Sequence, residues 1–544
     1  MPRPSTLPVV FALAFAAPAA PAAQSPSGTL VIAVAREAQS PVPTLWRGDQ
    51  ANREISDLLF LRLASLGPAL GTTDDSSFVP QLAHRWKRVD GRTLRFELDP
   101  RARWHDGTPV TPRDVVFGFD RARDPKLSPQ VALLLQRIES VTATGKDRVT
   151  IRFRERYPEQ MYDATYHAPP LPAHLLAAMP PDSVAGSEFA AHPVGNGPYT
   201  FGRRVAGQSL ELLANPTFFL GTPGPARVIF LLAGDAETRA NLLLSGKADA
   251  VDNIYTLPNP ARLERHPDFQ YLSVPTLSVG YANLNHRDPS DPSRLHPLFS
   301  HPDLRRALVL ALNREQIAGS AYGPATRVPS APVSVVLERA VKAPPPLPFD
   351  TAEARRLLAR TGWRDTDGDG TIDRGGRPLT FSLMVPAPVA ARRLMASQMQ
   401  EAWRRLGIAV ELEVVEPGLY HQRRAEGRYD AEMAGATQDP TPSGLSQSWS
   451  CGAIGAGNVA RYCNPRFDSL LARAGRSPSD APALWRRAVA VLAEDVPAIF
   501  LAAQVFVVPV HRRFVGVVVR PDSPWADVWR WRLAPGAALP RDRP

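Results

Sequence analysis

The chain of 544 residues has only two cysteines, no block of five or more basic residues and no common catalytic motif. HExxH, GxSxG and the P-loop pattern are all absent, which argues against a zinc protease, a serine hydrolase and a P-loop NTPase. The formal net charge is +10, but basic and acidic residues are interspersed along the chain, as on a solvated surface. We therefore expect no catalytic residue, no cofactor and no nucleic-acid partner.

Long apolar runs are also missing, since no segment beyond the N-terminus has 18 uninterrupted apolar residues. The N-terminus reads MPRPSTLPVVFALAFAAPAAPAAQS, with Arg3 before an apolar run from Leu7 to Ala17 and small residues after it. That order is typical of a secretory signal peptide, and the run is too short for a transmembrane helix. We interpret 1–23 as a signal peptide, although a disordered Ala/Pro leader is the alternative. No cysteine follows for lipid attachment, so we expect a periplasmic protein.

The two cysteines, Cys451 and Cys463, lie close together in the sequence. In an exported chain, one such pair favours a disulfide over a metal site, which would need further ligands nearby. Two free buried thiols remain the alternative. A disulfide closing so short a loop would stabilise the fold by about 3 kcal/mol.

Residues 104–120, WHDGTPVTPRDVVFGFD, place a histidine beside an aspartate and raise the question of a catalytic site. The preceding TLRFEL, 93–98, alternates apolar and polar residues and predicts a strand. Thr111, Pro112 and Asp114 then form a helix start, with a cap, a first-turn proline and an acidic residue three positions after the cap. His105 and Asp106 therefore belong to a strand-to-helix connection, and Asp106 is interpreted as a turn former.

A similar pattern occurs at 300–317, SHPDLRRALVLALNREQI. Ser300 is predicted to cap a helix, with Asp303 three positions later. The apolar residues fall on one face at helical spacing and predict a buried amphipathic helix; they are Leu304, Ala307, Leu308, Ala311 and Leu312.

These segments, with others in the same order, resemble the family 5 extracellular solute-binding proteins, the dipeptide- and oligopeptide-binding components of ABC transporters. The matching region begins with PQLAHRWKRVDGRTLRFELDPRARWHDGTPVTPRDVVFGFDRARD, 80–124. HPVGNGPYTF, LLLSGKADAVD, VGYANLN, HPDLRRALVLALNREQI, YCNPRFDSLLARA and EDVPAIFL follow. Seven segments in one order cover nearly the whole mature chain.

The resemblance implies an α/β, two-lobed periplasmic binding protein fold, type II-like and of cluster C, with an extra domain on the first lobe. Alternating strand and helix patterns agree with α/β layers. By resemblance, lobe one takes 28–46, 193–275 and 500–540, the extra domain 47–192, and lobe two 276–499. The C-terminal tail, APGAALPRDRP, is predicted to be disordered.

The family implies a peptide or other small solute enclosed between the lobes by hinge closure, and a membrane permease as partner. A monomer is expected, because each lobe must reach the permease. A ligand sensor or chaperone-like binder on the same fold is the alternative, and a periplasmic hydrolase has less support. The two charged anchors of the dipeptide-binding relatives are missing, since Pro386 and Ala436 stand at their positions. We therefore expect a longer peptide or a non-peptide solute rather than a strict dipeptide.

Candidate ligand-binding residues follow from position. Arg36 and Glu37 come just after the first mature strand, and strand ends are where α/β proteins bind ligands. Asn196 lies in VGNGPY, where a tight turn is the alternative role. The remaining candidates occupy the segment that carries the amine anchor in peptide-binding relatives or lie shortly after it: Thr437, Gln438, Asp439 and Trp449. Trp449 could stack on a ligand or be a structural core residue.

One segment, DTDGDGTID at 365–373, resembles the start of a calcium-binding loop. Asp365, Asp367 and Asp369 occupy positions one, three and five of the loop, and Gly370 position six. Position twelve is Gly376 instead of glutamate. A weak structural calcium site is one interpretation, and a solvated Asp/Gly turn is the favoured one.

Overall fold

The computed structural model describes residues 25–45, 50–127, 129–387 and 389–543. The predicted signal peptide, 1–23, lies outside these residues. Within the described ranges, no helix combines the length and the apolar character that a membrane span requires.

Strands and helices alternate along most of the chain. The strands are β1 (Thr29–Val34), β2 (Ala64–Leu66), β3 (Phe78–Pro80), β4 (Ala83–Asp90), β5 (Thr93–Leu98), β6 (Ile138–Ala143), β7 (Arg148–Phe153), β8 (Tyr199–Val205), β9 (Ser209–Ala214), β10 (Arg227–Leu232), β11 (Phe269–Leu284), β12 (Asp373–Arg374), β13 (Arg377–Pro378), β14 (Thr380–Pro386), β15 (Ala409–Val415), β16 (Ala431–Thr437), β17 (Ala498–His511), β18 (Phe514–Val515) and β19 (Arg532–Leu533). The α-helices are α1 (Gln50–Leu59), α2 (Pro112–Ala122), α3 (Pro129–Leu134), α4 (Gln160–Thr165), α5 (Ala173–Leu176), α6 (Glu188–Ala191), α7 (Ala236–Leu244), α8 (Pro302–Leu310), α9 (Arg314–Tyr322), α10 (Val335–Val341), α11 (Thr351–Arg360), α12 (Ala390–Arg404), α13 (Pro417–Glu426), α14 (Leu445–Trp449), α15 (Pro465–Ala474) and α16 (Ala481–Asp495).

Three larger sheets organise these elements. The first sheet has the order β1-β10-β9-β8, the second β4-β5-β7-β6, and the third β15-β14-β16-β11-β17. The second sheet is antiparallel, whereas the first and third mix parallel and antiparallel pairs. Each sheet contributes to its own buried apolar core, and the third sheet has one core on each face.

Two long strands connect the first and third sheets. β11 and β17 pair antiparallel from Phe269 opposite His511 to Asn283 opposite Ala498, and the register shifts between Pro275 and Val279. Ala250 forms β-bridges to Ile32 of β1 and to Val510 of β17. These bridges join the first sheet to the end of the β11–β17 pair at which Phe269 lies opposite His511. The two-lobed mixed α/β architecture expected from the sequence is confirmed, whereas the lobe and domain limits remain predictions.

The connection after β5 folds as its sequence predicts. β5 has the predicted bounds, and α2 begins at Pro112. The Asp114 carboxylate accepts hydrogen bonds from the amide of Thr111 at 2.8 Å and from its hydroxyl at 3.0 Å. Its other oxygen accepts a hydrogen bond from the amide of Ala173 at 2.9 Å, so Asp114 fixes the start of α5 as well as the start of α2.

The prediction of one helix over 300–317 is wrong in two respects. The helix begins at Pro302, so His301 and not Ser300 is the N-cap. It ends at Leu310, and Asn313 caps a second helix by accepting the amide of Gln316 at 3.2 Å. An Asn side chain that bonds locally to the backbone competes with helix continuation. The predicted apolar stripe is nevertheless fully buried.

The prediction of a disordered C-terminal tail is also wrong. The Asp542 carboxylate accepts the amide of Thr29 at 2.6 Å and pairs with Arg513 at 2.6 Å. Arg541 reaches the buried Asp249 at 2.6 Å. These ion pairs hold the tail against β1, because they satisfy charges that would otherwise be buried alone.

Candidate ligand-binding site

A cavity of about 350 Å³ lies between the second-sheet region and the third-sheet region. One wall comes from α1, α2 and segment 166–169, and the opposite wall from the end of β16 and segment 437–449. The volume falls at the lower end of the usual range for small-ligand sites, about 300–1,000 Å³. Most lining side chains are apolar, with a few polar and charged groups among them.

Four of the seven predicted ligand-binding residues line this cavity: Thr437, Gln438, Asp439 and Trp449. Gln438 accepts the amide of Ser334 at 2.9 Å and donates to the carbonyl of Pro332 at 2.5 Å, so its side chain fixes the neighbouring loop. Thr437 lies 3.1 Å from the hydroxyl of Ser278. Both residues shape the wall and leave few hydrogen-bonding groups for a ligand.

Trp449 forms part of the apolar wall. Its ring packs edge-on against Tyr281 and Phe500, with centroids 5.9 Å and 5.8 Å apart. Only 3% of Trp449 is exposed. Trp449 is therefore a core residue that also lines the cavity, and its stacking on a ligand remains a prediction.

Two lining residues carry opposite charges. Asp439 lies on the third-sheet side, and Arg53 of α1 lies on the opposite side. Among the described residues, Asp439 has no ion pair within 4.0 Å and no hydrogen bond to its carboxylate. Among the described lining residues, His167 is the other group that titrates near neutral pH, and burial lowers its pKa, so its ring is neutral at neutral pH. The cavity thus contains one cation and one anion on different walls.

Arg53 is held in place by Tyr166. Its Nη1 donates to the Tyr166 hydroxyl at 3.0 Å, while its buried Nε has no hydrogen-bond partner in the described part of the chain. Tyr166 stacks on Tyr162 with ring centroids 4.7 Å apart. Burial raises the pKa of Tyr166 to about 12, which keeps its hydroxyl protonated at neutral pH.

Arg36 and Glu37 lie away from this cavity, in a small recess beside β1, α1 and β10. Glu37 is ion-paired with Arg204 at 2.8 Å and also accepts the amide of Gly207 at 3.2 Å. Their proposed contact with ligand remains a prediction that the cavity geometry does not favour.

Asn196 is also outside the cavity and is buried. Its Oδ1 accepts the amide of Leu61 at 2.7 Å, which supports the alternative role of a turn residue. Side chains on the flanking residues would collide with α1, because a Cβ on Gly195 would lie 2.0 Å from the carbonyl oxygen of Leu59. His105 braces the same turn through Gly195 and Gly197. Burial lowers the pKa of His105 to about 4.

The positions of the two missing dipeptide anchors differ. Ala436 lines the cavity, whereas Pro386 ends β14 opposite Val415 and is not among the lining residues. An alanine at 436 leaves the wall apolar at this point. The dipeptide-binding relatives carry an aspartate at the position of Ala436. In this chain the aspartate that lines the cavity is Asp439, three residues later.

The predicted disulfide between Cys451 and Cys463 is confirmed, and the paired residues are 12 positions apart in the sequence. It closes the loop that follows Trp449.

Asp365, Asp367 and Asp369 bring carboxylate oxygens within 4.8 Å of one another on the surface. Each of them accepts backbone amides of the same loop: Asp365 from Gly368 at 2.7 Å, Asp367 from Asp369 at 3.2 Å and Asp369 from Thr371 at 2.6 Å. The geometry agrees with the Asp/Gly turn, and calcium binding remains a prediction.

Sequence reasoning missed the wall that faces Asp439. Arg53 and Tyr166 are 113 residues apart, and neither belongs to a motif. The available signal was the segment MYDATYH, 161–167, in which aromatic and ionisable residues cluster just before a proline-rich stretch. Such a cluster is unusual for a solvated loop and indicates a buried polar surface.

The fold and the cavity between the second-sheet and third-sheet regions together define a two-lobed α/β binding protein. A model of the bacterial extracellular solute-binding proteins, family 5, matches residues 77–456. The chain belongs to this family.

Individual relatives agree with that assignment. The oligopeptide-binding protein AppA of Bacillus subtilis is 25% identical over 503 residues, covering 90% of this chain and 89% of AppA. A putative ABC transporter peptide-binding protein of Brucella ovis is 29% identical over 364 residues. That match covers 66% of this chain and 65% of the Brucella protein, slightly less than two thirds of its length.

Solved structures show the same fold. The structure of Bacillus subtilis AppA in complex with a nonapeptide superposes with a TM-score of 0.77 at 23% identity, covering 94% of this chain and all of that chain. The dipeptide-binding protein of Pseudoalteromonas sp. SM9913 in complex with Met-Leu gives a TM-score of 0.74 at 21% identity, with 93% and 100% covered.

Proposed function

We propose that this chain is the periplasmic binding component of an ABC transporter and that it binds short peptides in the cavity between Arg53 and Asp439. The observation that carries the proposal is that one largely apolar cavity contains two opposite charges, Arg53 and Asp439, neither of which has an ion pair within 4.0 Å among the described residues. Both side chains are partly withdrawn from water, which is costly for a charge without a partner, and a peptide supplies both an ammonium and a carboxylate. The peptide-binding relatives support the same ligand class.

Asp439 is the proposed contact for the ligand's ammonium group. Asp439 lines the cavity, and its carboxylate has no hydrogen bond or ion pair among the described residues. Trp449 and Tyr281 supply apolar surface for the ligand's side chains. In this proposal no residue performs chemistry, and binding alone is the function.

Closure of the two lobes around the ligand is proposed to involve contacts across the cavity rim. The Thr441 hydroxyl donates to Glu159, and Arg137 Nη2 donates to the carbonyl of Gly475 at 3.1 Å. Both contacts join the second-sheet region to the third-sheet region. A ligand touching both walls would favour the conformation in which these contacts exist.

Export by the signal peptide, a periplasmic location, delivery to an inner-membrane permease and a monomeric state complete the proposal. The monomer is expected because a permease must contact both lobes. Size-exclusion chromatography with light scattering tests this, and a stable dimer at micromolar concentration would contradict it.

The test of the function is native mass spectrometry of mature protein purified from a periplasm without unfolding. A ligand that binds only folded protein survives gentle purification when its affinity is high. We expect a set of bound masses spaced by amino-acid residues. A single non-peptide mass, or failure to bind any member of an added tripeptide pool, would overturn peptide binding.

A further inference from the structure

From the geometry of the cavity we infer that Arg53 and the Tyr166 hydroxyl form an anion subsite that selects peptides with a free C-terminal carboxylate. The inference rests on the proposed function and specifies its ligand: a short zwitterionic peptide, with its ammonium at Asp439 and its carboxylate at Arg53. It assigns the carboxylate contact to the α1 wall, opposite the segment that carries Asp439.

Arg53 has no ion pair among the described residues, although Tyr166 and, at longer range, Asp57, Asp439 and Asp522 act on its charge and raise its pKa. Asp57, one helical turn further along α1, is paired with Arg62 at 2.6 Å. Glu54 accepts a hydrogen bond from Gln50 at 2.7 Å. In the part of the chain that the structure describes, Arg53 forms no ion pair within 4.0 Å, and the one hydrogen bond of its side chain goes to neutral Tyr166. The guanidinium can therefore donate hydrogen bonds to an anionic group of the ligand.

Tyr166 completes the subsite as a second donor. Its oxygen accepts from Arg53, which leaves the hydroxyl proton to donate to a ligand oxygen. The ring is fixed on both sides, because Tyr162 stacks on it and Arg62 lies 4.9 Å from its centroid. Two donors held in a fixed arrangement suit the two oxygens of a carboxylate.

The balance of charge on the cavity walls favours a zwitterion over a singly charged ligand. Arg53 and Asp439 are the only charged side chains among the described lining residues, and His167 is neutral. A ligand with only one charge would be attracted by one of these side chains and repelled by the other, whereas a zwitterion can be attracted by both. A cavity of about 350 Å³ that must hold both ends of the ligand also favours a short peptide.

The experiment compares three pools of tripeptides of equal composition: free acids, C-terminal amides and N-acetylated acids. Competition native mass spectrometry selects one sequence, and isothermal titration calorimetry then measures its three forms. We expect the wild-type protein to bind the free acid about 30-fold more tightly than the amide. In Arg53→Gln this ratio should fall below about threefold, while the penalty for N-acetylation stays unchanged.

Tyr166→Phe should reduce the acid-to-amide ratio partially, and Arg53→Lys should retain part of it because the charge remains. Arg265→Gln, a change of the same charge at an exposed site, is the matched control and should keep the full ratio. Circular dichroism melting establishes that each variant is folded.

Two results would overturn the inference and leave the proposed function intact. One is wild-type protein that binds the amide as well as the acid. The other is a folded Arg53→Gln protein that retains the full acid-to-amide ratio. Wild-type protein that binds none of the three pools would instead overturn the proposed function.

Discussion

The hydroxyl of Thr441 donates a hydrogen bond to the buried carboxyl group of Glu159, 282 residues away in the sequence. Glu159 belongs to the second-sheet region, and Thr441 lines the opposite wall of the cavity. Burial raises the pKa of Glu159, so the unpaired carboxyl group would be costly without this donor. Because the contact joins the two regions at the cavity wall, we expect it to couple ligand binding to their relative position.

Replacing this donor is expected to weaken ligand binding. Thr441→Val keeps the shape of the side chain and removes the hydroxyl, which should cost about 1–3 kcal/mol in the conformation that contains the contact. Calorimetry with the best tripeptide ligand measures the loss of affinity. Thr441→Ser retains the donor and serves as the control, and a Val variant that binds as tightly as the Ser variant would contradict a role in closure.

The stability of the protein should depend on pH through Asp163. Burial is the largest cause of a rise in the pKa of Asp163 from its ordinary value of 3.8 to about 8. Between pH 4 and pH 8 the folded state keeps this proton and the unfolded state releases it. The contribution of Asp163 to stability is therefore fully present below pH 4 and is lost as pH rises to 8, by up to about 1.4 kcal/mol per pH unit.

The Asp163→Asn variant isolates this contribution, because an amide resembles the protonated carboxyl group and keeps an acceptor for the Tyr157 hydroxyl, now 2.7 Å from Asp163. Urea unfolding at pH 4.5, 6.0 and 7.5 gives the difference in unfolding free energy between variant and wild type. We expect the variant to gain stability relative to wild type as pH increases. A difference that is constant with pH would show that Asp163 titrates normally.

A buried ion-pair network fastens the C-terminal tail to the first sheet. Asp249 is fully buried and contacts Arg513 at 2.8 Å and Arg541 at 2.6 Å. Asp249→Ala would leave the buried guanidinium of Arg513 without this partner, which is expected to cost about 3–5 kcal/mol of stability. Thermal unfolding followed by circular dichroism measures the loss.

The control for this network is Glu401→Ala, which removes a carboxylate that pairs with Arg404 and Arg405 on an exposed helix face. Surface ion pairs contribute little because water and salt screen them. We expect a far smaller decrease in melting temperature than for Asp249→Ala. Equal decreases in the two variants would contradict a structural role for the buried network.

The sequence predicted those parts of the fold whose signals are local. The alternation in β5 and the capping residues of α2 lie within a few neighbouring positions, so hydrogen bonding over short distances determines them. The helix at 302–310 shows the limit, since Asn313 ends the periodic pattern by a local hydrogen bond that the apolar stripe does not reveal. The prediction for the C-terminal tail failed for a different reason. Asp542 is held by Arg513, 29 residues earlier, and by Thr29, near the other end of the chain, so no local pattern in the tail reveals its order.

The cavity was only half predictable. Asp439 and Trp449 come from a segment identified by resemblance, and they occupy one wall. Arg53 and Tyr166 form the other wall from two segments that carry no motif, and their proximity depends on how α1 packs beside α4. From sequence alone, a charged residue on a helix is predicted to face solvent, and only the fold shows which residues lie opposite it.

The disulfide offers a final test that combines stability with binding. The bond between Cys451 and Cys463 closes a loop that begins two residues after Trp449, at the cavity wall. Replacing both cysteines with serine should lower the free energy of unfolding by about 2–4 kcal/mol, because the unfolded chain gains freedom. It should also weaken peptide binding, because Trp449 loses part of its support. Reductant should lower the melting temperature of the wild-type protein to that of the double variant. The double variant is the control, and its melting temperature should not change with reductant. If the wild-type protein is unfolded and refolded in reductant and its melting temperature is unchanged, the bond contributes no stability.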